Sequence, residues 1–154
     1  MRIADTGPMD PSVATIMTAS VVTVTSDTTV DRMRQLFDAE GFHHLIVCER
    51  GRVVGVVSDR DLLRHLSPWA GTMGETRSDA ATLKKRAHQV MSRGLVSTTP
   101  GQSISEAIAL MLDARVSCLP VLDEKGGCAG IVTWRDILSW TAGRLEDERP
   151  RDAA

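Results

Sequence analysis

The nonapeptide "GIVTWRDIL" (130–138) restates "GVVSDRDLL" (55–63), with an offset of 75 residues between Gly55 and Gly130. Glycine, valine, arginine, aspartate and the final leucine are identical, while Val56/Ile131, Ser58/Thr133 and Leu62/Ile137 exchange similar side chains. Asp59 against Trp134 is the one pair that differs in kind. Each copy passes from an apolar run, through a hydroxyl residue, into helical periodicity. A chain that writes this junction twice is built from a repeated unit.

Extending upstream, "VMSRGLVSTTPGQSISEAIALMLDARVSCLPVLDE" (90–124) lies over "IMTASVVTVTSDTTVDRMRQLFDAEGFHHLIVCER" (16–50), at an offset of 74 between Met17 and Met91. The one extra residue of the second copy falls in the turn DEKGG (123–127), against ERG (49–51) in the first. Turns absorb insertions that strands and helices do not. Each copy reads as strand, helix, strand, strand, helix. VVTV (21–24) predicts the first strand. Ile104, Ala107, Ile108, Met111 and Leu112 recur at helical spacing, with Ser103 and Glu106 placed as a capping box. The first copy carries the thinner stripe Val30, Met33, Leu36 and Phe37. LIVC-ERGR-VVGVV and CLPVL-DEKGG-CAGIV predict hairpins. The closing helices start at Ser58 and Thr133 and carry Leu62, Leu63, Leu66 and Ile137, Leu138.

One sheet and two helices bury too little apolar surface alone. The expected fold class is therefore α/β, of α+β type: two tandem repeats packed sheet to sheet about a pseudo-twofold. The expected layout is a flexible N-terminus (1–12), repeat 1 (13–66), a linker (67–86), repeat 2 (87–144) and a polar tail (145–154). The linker stretch SPWAGTMGETRSDAATLKK (67–85) is poor in apolar residues, and its end is a candidate helix. The KKR run (84–86) reads as a solvated helix face.

The 154-residue length permits a real core, and 42% hydrophobic with 25% charged residues is ordinary for a globular protein. A net charge of −2 gives no reason to expect nucleic acid or an anionic membrane as partner. No apolar stretch approaches the roughly 20 residues needed to cross a bilayer. The N-terminal residues lack the apolar run of a signal peptide, so the expected location is cytoplasmic. Cys48, Cys118 and Cys128 show no zinc-like spacing and read as buried thiols; Cys118 and Cys128 are poorly placed for a disulfide. Met17, Met33, Met91 and Met111 read as core filler.

The S/T-x-R-D element has two readings. Ser58 and Thr133 are natural helix N-caps, and Asp61 and Asp136, three residues on, complete a capping box that needs no ligand. The same geometry suits a nucleotide: a helix start with a hydroxyl and a nearby Arg60 or Arg135 receives phosphate, and a first-turn carboxylate can accept both hydroxyls of a ribose. Spacing leaves both open.

Two copies of strand–helix–strand–strand–helix ending in G-h-h-[ST]-x-x-D, with "CLPVLDEKG" before the second, resemble a CBS-domain pair (Bateman module) of the stand-alone bacterial type. The resemblance covers about residues 13–144. "HHLIVCERG" departs from it, with Ile46 where the second copy has Pro120, a change expected to alter a local turn or strand edge rather than the fold. The resemblance implies adenosine-type ligands in the cleft between repeats, each site joining one [ST]-x-x-D element to first- and second-strand residues of the other repeat. One site would use Thr133, Arg135, Asp136 and Ile131, walled by Thr18, Val22, His43 and His44. The other would use Ser58, Arg60, Asp61 and Val56, faced by Val96 and Ser117. Arg135 and the histidines are plausible phosphate partners, whereas Asp59 would repel phosphate, so the Asp136 site is expected to bind better and to prefer more phosphates. His43 and His44 are adjacent on a strand and should point to opposite faces. Trp134 is a rim or base contact, or equally a surface or dimer-contact aromatic.

No nucleophile with a base, H-E-x-x-H, P-loop or G-x-G-x-x-G is present, so no catalytic residue, no metal site and no catalytic cofactor is expected. The leading reading is a regulatory module that binds ATP, ADP or AMP and signals through changed repeat or dimer geometry. A homodimer is expected, with Leu138 and Trp140 as interface candidates, and with an unidentified effector protein. The alternatives are a ligand-free dimeric interaction scaffold, or a sensor of S-adenosylmethionine or NAD on the same fold.

Overall fold

The computed structural model describes residues 10–147. Most of the expected flexible N-terminus and of the expected polar tail lies outside these. The chain forms two compact units. Among the described residues, the Ser58 unit comprises residues 20–95 and 122–128; the Thr133 unit comprises residues 10–19, 96–121 and 129–147.

In the Ser58 unit, the short strand β1 (Thr23–Val24) lies parallel to β2 (His44–Glu49), which pairs antiparallel with β3 (Arg52–Ser58). The hairpin turns through Arg50 and Gly51, both at positive φ (49° and 77°), which is the two-residue geometry whose twist matches paired strands. Helix α1 (Val30–Glu40) is capped by Thr29, whose hydroxyl accepts the Arg32 N–H, and ends at Gly41 in the left-handed conformation. It buries Val30, Met33 and Phe37 against Leu45, Val47 and Val57 of the sheet. Helix α2 (Asp59–His65) closes the hairpin and buries Leu62, while Leu63 is exposed. The linker's end is helical, as expected: α3 (Arg77–Leu83) starts at a Thr76/Asp79 capping box. The KKR run is not a helix face. Lys84 terminates α3 and Arg86 precedes the single turn α4 (Ala87–Val90), because the chain bends between them to pair Arg86 with Thr29.

In the Thr133 unit, α5 (Ile104–Ala114) begins at the expected Ser103/Glu106 capping box. It buries Ile104, Ala107 and Met111; Leu112, one step round the helix from Met111, lies outside the stripe and is exposed. Strands β4 (Cys118–Leu122) and β5 (Cys128–Thr133) form the second hairpin, whose tip (122–128) is grouped with the Ser58 unit, and α6 (Trp134–Asp147) follows. Ile137 is buried and Leu138 exposed, and the Arg144 guanidinium stacks on Trp140 with its carbon 5.3 Å from the ring centroid.

The expected VVTV strand shrinks to Thr23–Val24, and its counterpart in the other unit is a single parallel bridge, Thr98 to Val121. Proline accounts for the difference between the two. The Pro120 carbonyl accepts the Thr98 N–H at 3.0 Å. A strand residue points its N–H and C=O to the same side, so the N–H that Pro120 lacks is missing from this edge. Ile46, at the equivalent place, is paired with Thr23 and Val56. The departure from the family pattern thus changes a strand edge and leaves the fold intact.

The units do not follow the repeat boundaries. Val13, from the start of the first repeat, is fully buried in the core of the Thr133 unit beside Ala107, Leu119 and Val132. Ala87 and Val90, from the start of the second, are buried in the core of the Ser58 unit. Backbone bonds fix each exchanged segment: Val13 N–H to Gln102 O (2.8 Å) and Ile104 N–H to Pro11 O (3.0 Å) in one, Val30 N–H to Lys85 O (2.8 Å) and Ala87 N–H to Thr28 O (2.8 Å) in the other.

Candidate functional site

Each motif glycine exists because an exchanged segment crosses it. At Gly130, a Cβ would lie 2.7 Å from the Thr18 carbonyl oxygen; at Gly55, 2.7 Å from the Met91 sulfur and 2.9 Å from the Ser92 carbonyl oxygen. Thr18 and Ile131 exchange two backbone bonds, of 2.9 and 3.0 Å, and the Ser92 N–H donates to Val56 O at 2.9 Å. Thr18 is thereby placed beside Ile131 in the Thr133 unit. Ser92 is its counterpart beside Val56, a position that sequence reasoning passed over although the repeat alignment pairs it with Thr18.

Both helix starts are closed capping boxes. Thr133 donates from its N–H and its hydroxyl to Asp136 Oδ2, each at 2.7 Å, and its hydroxyl accepts the Asp136 N–H at 3.4 Å. Ser58 repeats the pattern with Asp61, at 3.0, 2.7 and 3.1 Å. In both, the cap bonds converge on one carboxylate oxygen, Oδ2. The first helical residue donates its N–H to a carbonyl at the foot of the hairpin: Asp59 to His43 and Trp134 to Ser117, each at 3.1 Å. Arg60 and Arg135 are exposed beside these starts.

Side chains then separate the two. Asp59 Oδ2 accepts from His43 Nδ1 at 2.7 Å, and its Oδ1 accepts the Arg60 N–H at 2.7 Å. The matching positions of the Thr133 unit hold Ser117 and a half-exposed Trp134. His44, half-buried and paired across the hairpin with Ser58, has its pKa lowered by burial, a loss that the carboxylates of Asp59 and Asp61 partly offset. Of the residues grouped from sequence, the structure brings Thr133, Asp136, Arg135, Ile131 and Thr18 into one unit, joined there by Ser117 and Val96. Ser58, Asp61, Arg60 and Val56 share the other with Val22, His43 and His44. The residues expected to share each site are therefore divided between the two units.

Other chemistry is sparse. Among the described residues no cluster of three or more His, Cys, Asp or Glu could hold a metal, and no helix is long and apolar enough to cross a membrane. The cysteines are thiols; Cys118 is buried, while Cys48 and Cys128 are half-buried rather than fully so. Burial, aided by Cys128, pushes the Cys48 thiol up, away from thiolate reactivity.

Each unit thus presents a hairpin closed by a capped helix and crossed at a glycine by an exchanged segment. A family profile for the CBS domain matches residues 13–68 and 87–143. The chain belongs to the CBS domain family. A CBS domain-containing protein of Dictyostelium discoideum is 33% identical over 138 residues, covering 88% of this chain and 94% of that one. The chain spans half or less of the length of other curated relatives it matches. Among solved structures, a CBS domain pair in complex with 5′-methylthioadenosine and S-adenosyl-L-methionine superposes with a TM-score of 0.72 at 20% identity, covering 86% of this chain and 97% of that one. The cytosolic domain of the Mg2+ channel MgtE, in complex with ATP, gives 0.66 at 26% identity, covering 85% of this chain and 49% of that one. As a CBS pair, the chain is a regulatory fold carrying two [ST]-x-x-D elements.

Proposed function

We propose that this CBS pair is a non-catalytic regulatory module that binds adenine nucleotides, ATP, ADP or AMP, between its repeats. Thr133, Arg135, Asp136, Ile131 and Thr18 would act with Val22, His43 and His44 at one site. Ser58, Arg60, Asp61 and Val56 would act with Val96 and Ser117 at the other. The observation that carries this reading is the intact pair of hydroxyl–carboxylate helix starts, each held on Oδ2 beside an exposed arginine, in a family whose solved members include complexes with adenosine ligands. Ligand binding would shift the balance between two arrangements of repeats or of a homodimer, which an effector protein in the cytoplasm would read.

Isothermal titration with ATP, ADP, AMP, NAD and S-adenosylmethionine tests it, on the parent protein and on Asp136→Ala and Asp61→Ala. Saturable binding of an adenine nucleotide, lost in Asp136→Ala, is the expected result. Tighter binding of S-adenosylmethionine or NAD would keep the fold's role and change the ligand. One feature favours a second reading, a ligand-free dimeric scaffold: both capping boxes are satisfied within the chain, so the motifs have a structural use in the absence of any ligand. No heat from any ligand with folded protein would establish that reading instead.

A further inference from the structure

The two helix starts are equal in backbone and unequal in what a ligand would meet there. At α6 the first helical residue is Trp134, whose indole has no acceptor for the next amide, that of Arg135. At α2 it is Asp59. Its Oδ1 takes the Arg60 N–H at 2.7 Å, and its Oδ2 is held by His43 at 2.7 Å. A phosphate arriving at a helix start uses those first-turn amides together with a nearby cation. In the Ser58 motif the chain's own carboxylate has taken that amide, and the imidazole fixes the carboxylate so that it cannot swing away freely. An incoming anion would lose the amide and meet a like charge as well. The remaining elements of the motif, the Ser58 hydroxyl and the Asp61 carboxylate suited to a ribose, are untouched by this arrangement.

Building on the nucleotide-binding reading above, we propose that Asp59, positioned by His43, is a specificity-determining residue. It closes the Ser58 motif to 5′-phosphate, so that this motif takes an adenosine-type ligand with an uncharged or cationic 5′ end, while phosphorylated ligands go to the Thr133 motif. The chain then reads two classes of adenosine compound at once, and rejection at one motif is achieved by a repulsive and pre-occupied contact rather than by an absent attractive one.

The test isolates the Ser58 motif in an Asp136→Ala background and titrates it with adenosine, S-adenosylmethionine and ATP. Adenosine or S-adenosylmethionine should bind at least about tenfold more tightly than ATP, the scale of one like-charge contact at a partly exposed site. Adding Asp59→Ala, which frees the Arg60 amide and removes the charge, should narrow the gap to about threefold or reverse it. Asp59→Asn removes only the charge and serves if the alanine variant fails to fold. The reciprocal transplant is Trp134→Asp in an Asp61→Ala background, which should weaken ATP about tenfold relative to adenosine. ATP binding as tightly as adenosine before Asp59 is altered, or a preference that Asp59→Ala and Asp59→Asn both leave unmoved, overturns the proposal alone. Failure of every probe to bind any folded variant, the parent included, overturns the nucleotide-binding reading with it.

Discussion

The Ser58 and Thr133 units repeat one strand–helix–hairpin–helix frame, and two places where their side chains differ are instructive. One is at turns and edges: Gly41 against Arg115 at the end of the first long helix, Ile46 against Pro120 on the central strand. The other is at the mouth of the motif, where His43 and Asp59 stand against Ser117 and Trp134. The glycines, caps and carbonyl contacts that build the helix start are shared. Construction is therefore common to both units, and any division of labour between them must lie in the few exposed residues set on that common frame.

The strongest way to break this equivalence is at the glycines. Gly130→Ala drives a Cβ into the Thr18 carbonyl, so urea denaturation should report a loss of about 3 kcal/mol. Gly55→Ala meets a movable methionine sulfur first and should cost about 2 kcal/mol. Negligible losses would mean that the crossings are not the tight contacts described. Next comes the exchanged segment. Val13→Ala leaves a void in the Thr133 core and should cost about 2 kcal/mol, with amide exchange accelerated at Leu119 and Val132 but not at Leu45 and Val47. A uniform acceleration would deny the two units separate cores.

Arg115 tests the edges. It ends α5 in the left-handed conformation, at φ 55°, where Gly41 ends α1. Arg115→Gly should stabilise the protein by about 1 kcal/mol, visible as a raised Tm, while Gly41→Ala should do the opposite. The smallest effect is a difference in pH response. His44 has a folded pKa lowered from 6.5, mainly by burial, so the unfolded chain binds its proton more readily. Stability from this group is complete above about 6.5 and declines as pH falls below it towards the folded value. His44→Gln should flatten that part of the pH–stability curve. An unchanged slope would remove His44 as its cause.

Much of this was legible from residues alone. The repeat fixed the order of elements, and paired apolar runs around the Gly-bearing turns ERGR and DEKGG fixed the hairpins. Ser103/Glu106 and the two [ST]-x-x-D motifs announced their caps because capping is a local interaction three residues long. What escaped was decided at a distance. Nothing near Val13 or Val90 says that each packs in the other repeat's core, and nothing near VVTV says that the strand would be cut to two residues. Leu112 and Leu138 matched an apolar pattern, yet each lies a step beyond the stripe that meets its sheet. At the site, the sequence marked Asp59 as repulsive but could not show that His43 holds it or that the Arg60 amide is already taken.

The exchange of opening segments also dictates an order of events during synthesis. Once residues 13–66 have left the ribosome, the Ser58 core still lacks Ala87 and Val90, and the Val13 segment has no hairpin to join until Val132 is made. Contacts this far apart along the chain raise contact order and slow folding. Neither half can finish early, and the nascent chain must carry an open apolar face through most of its translation.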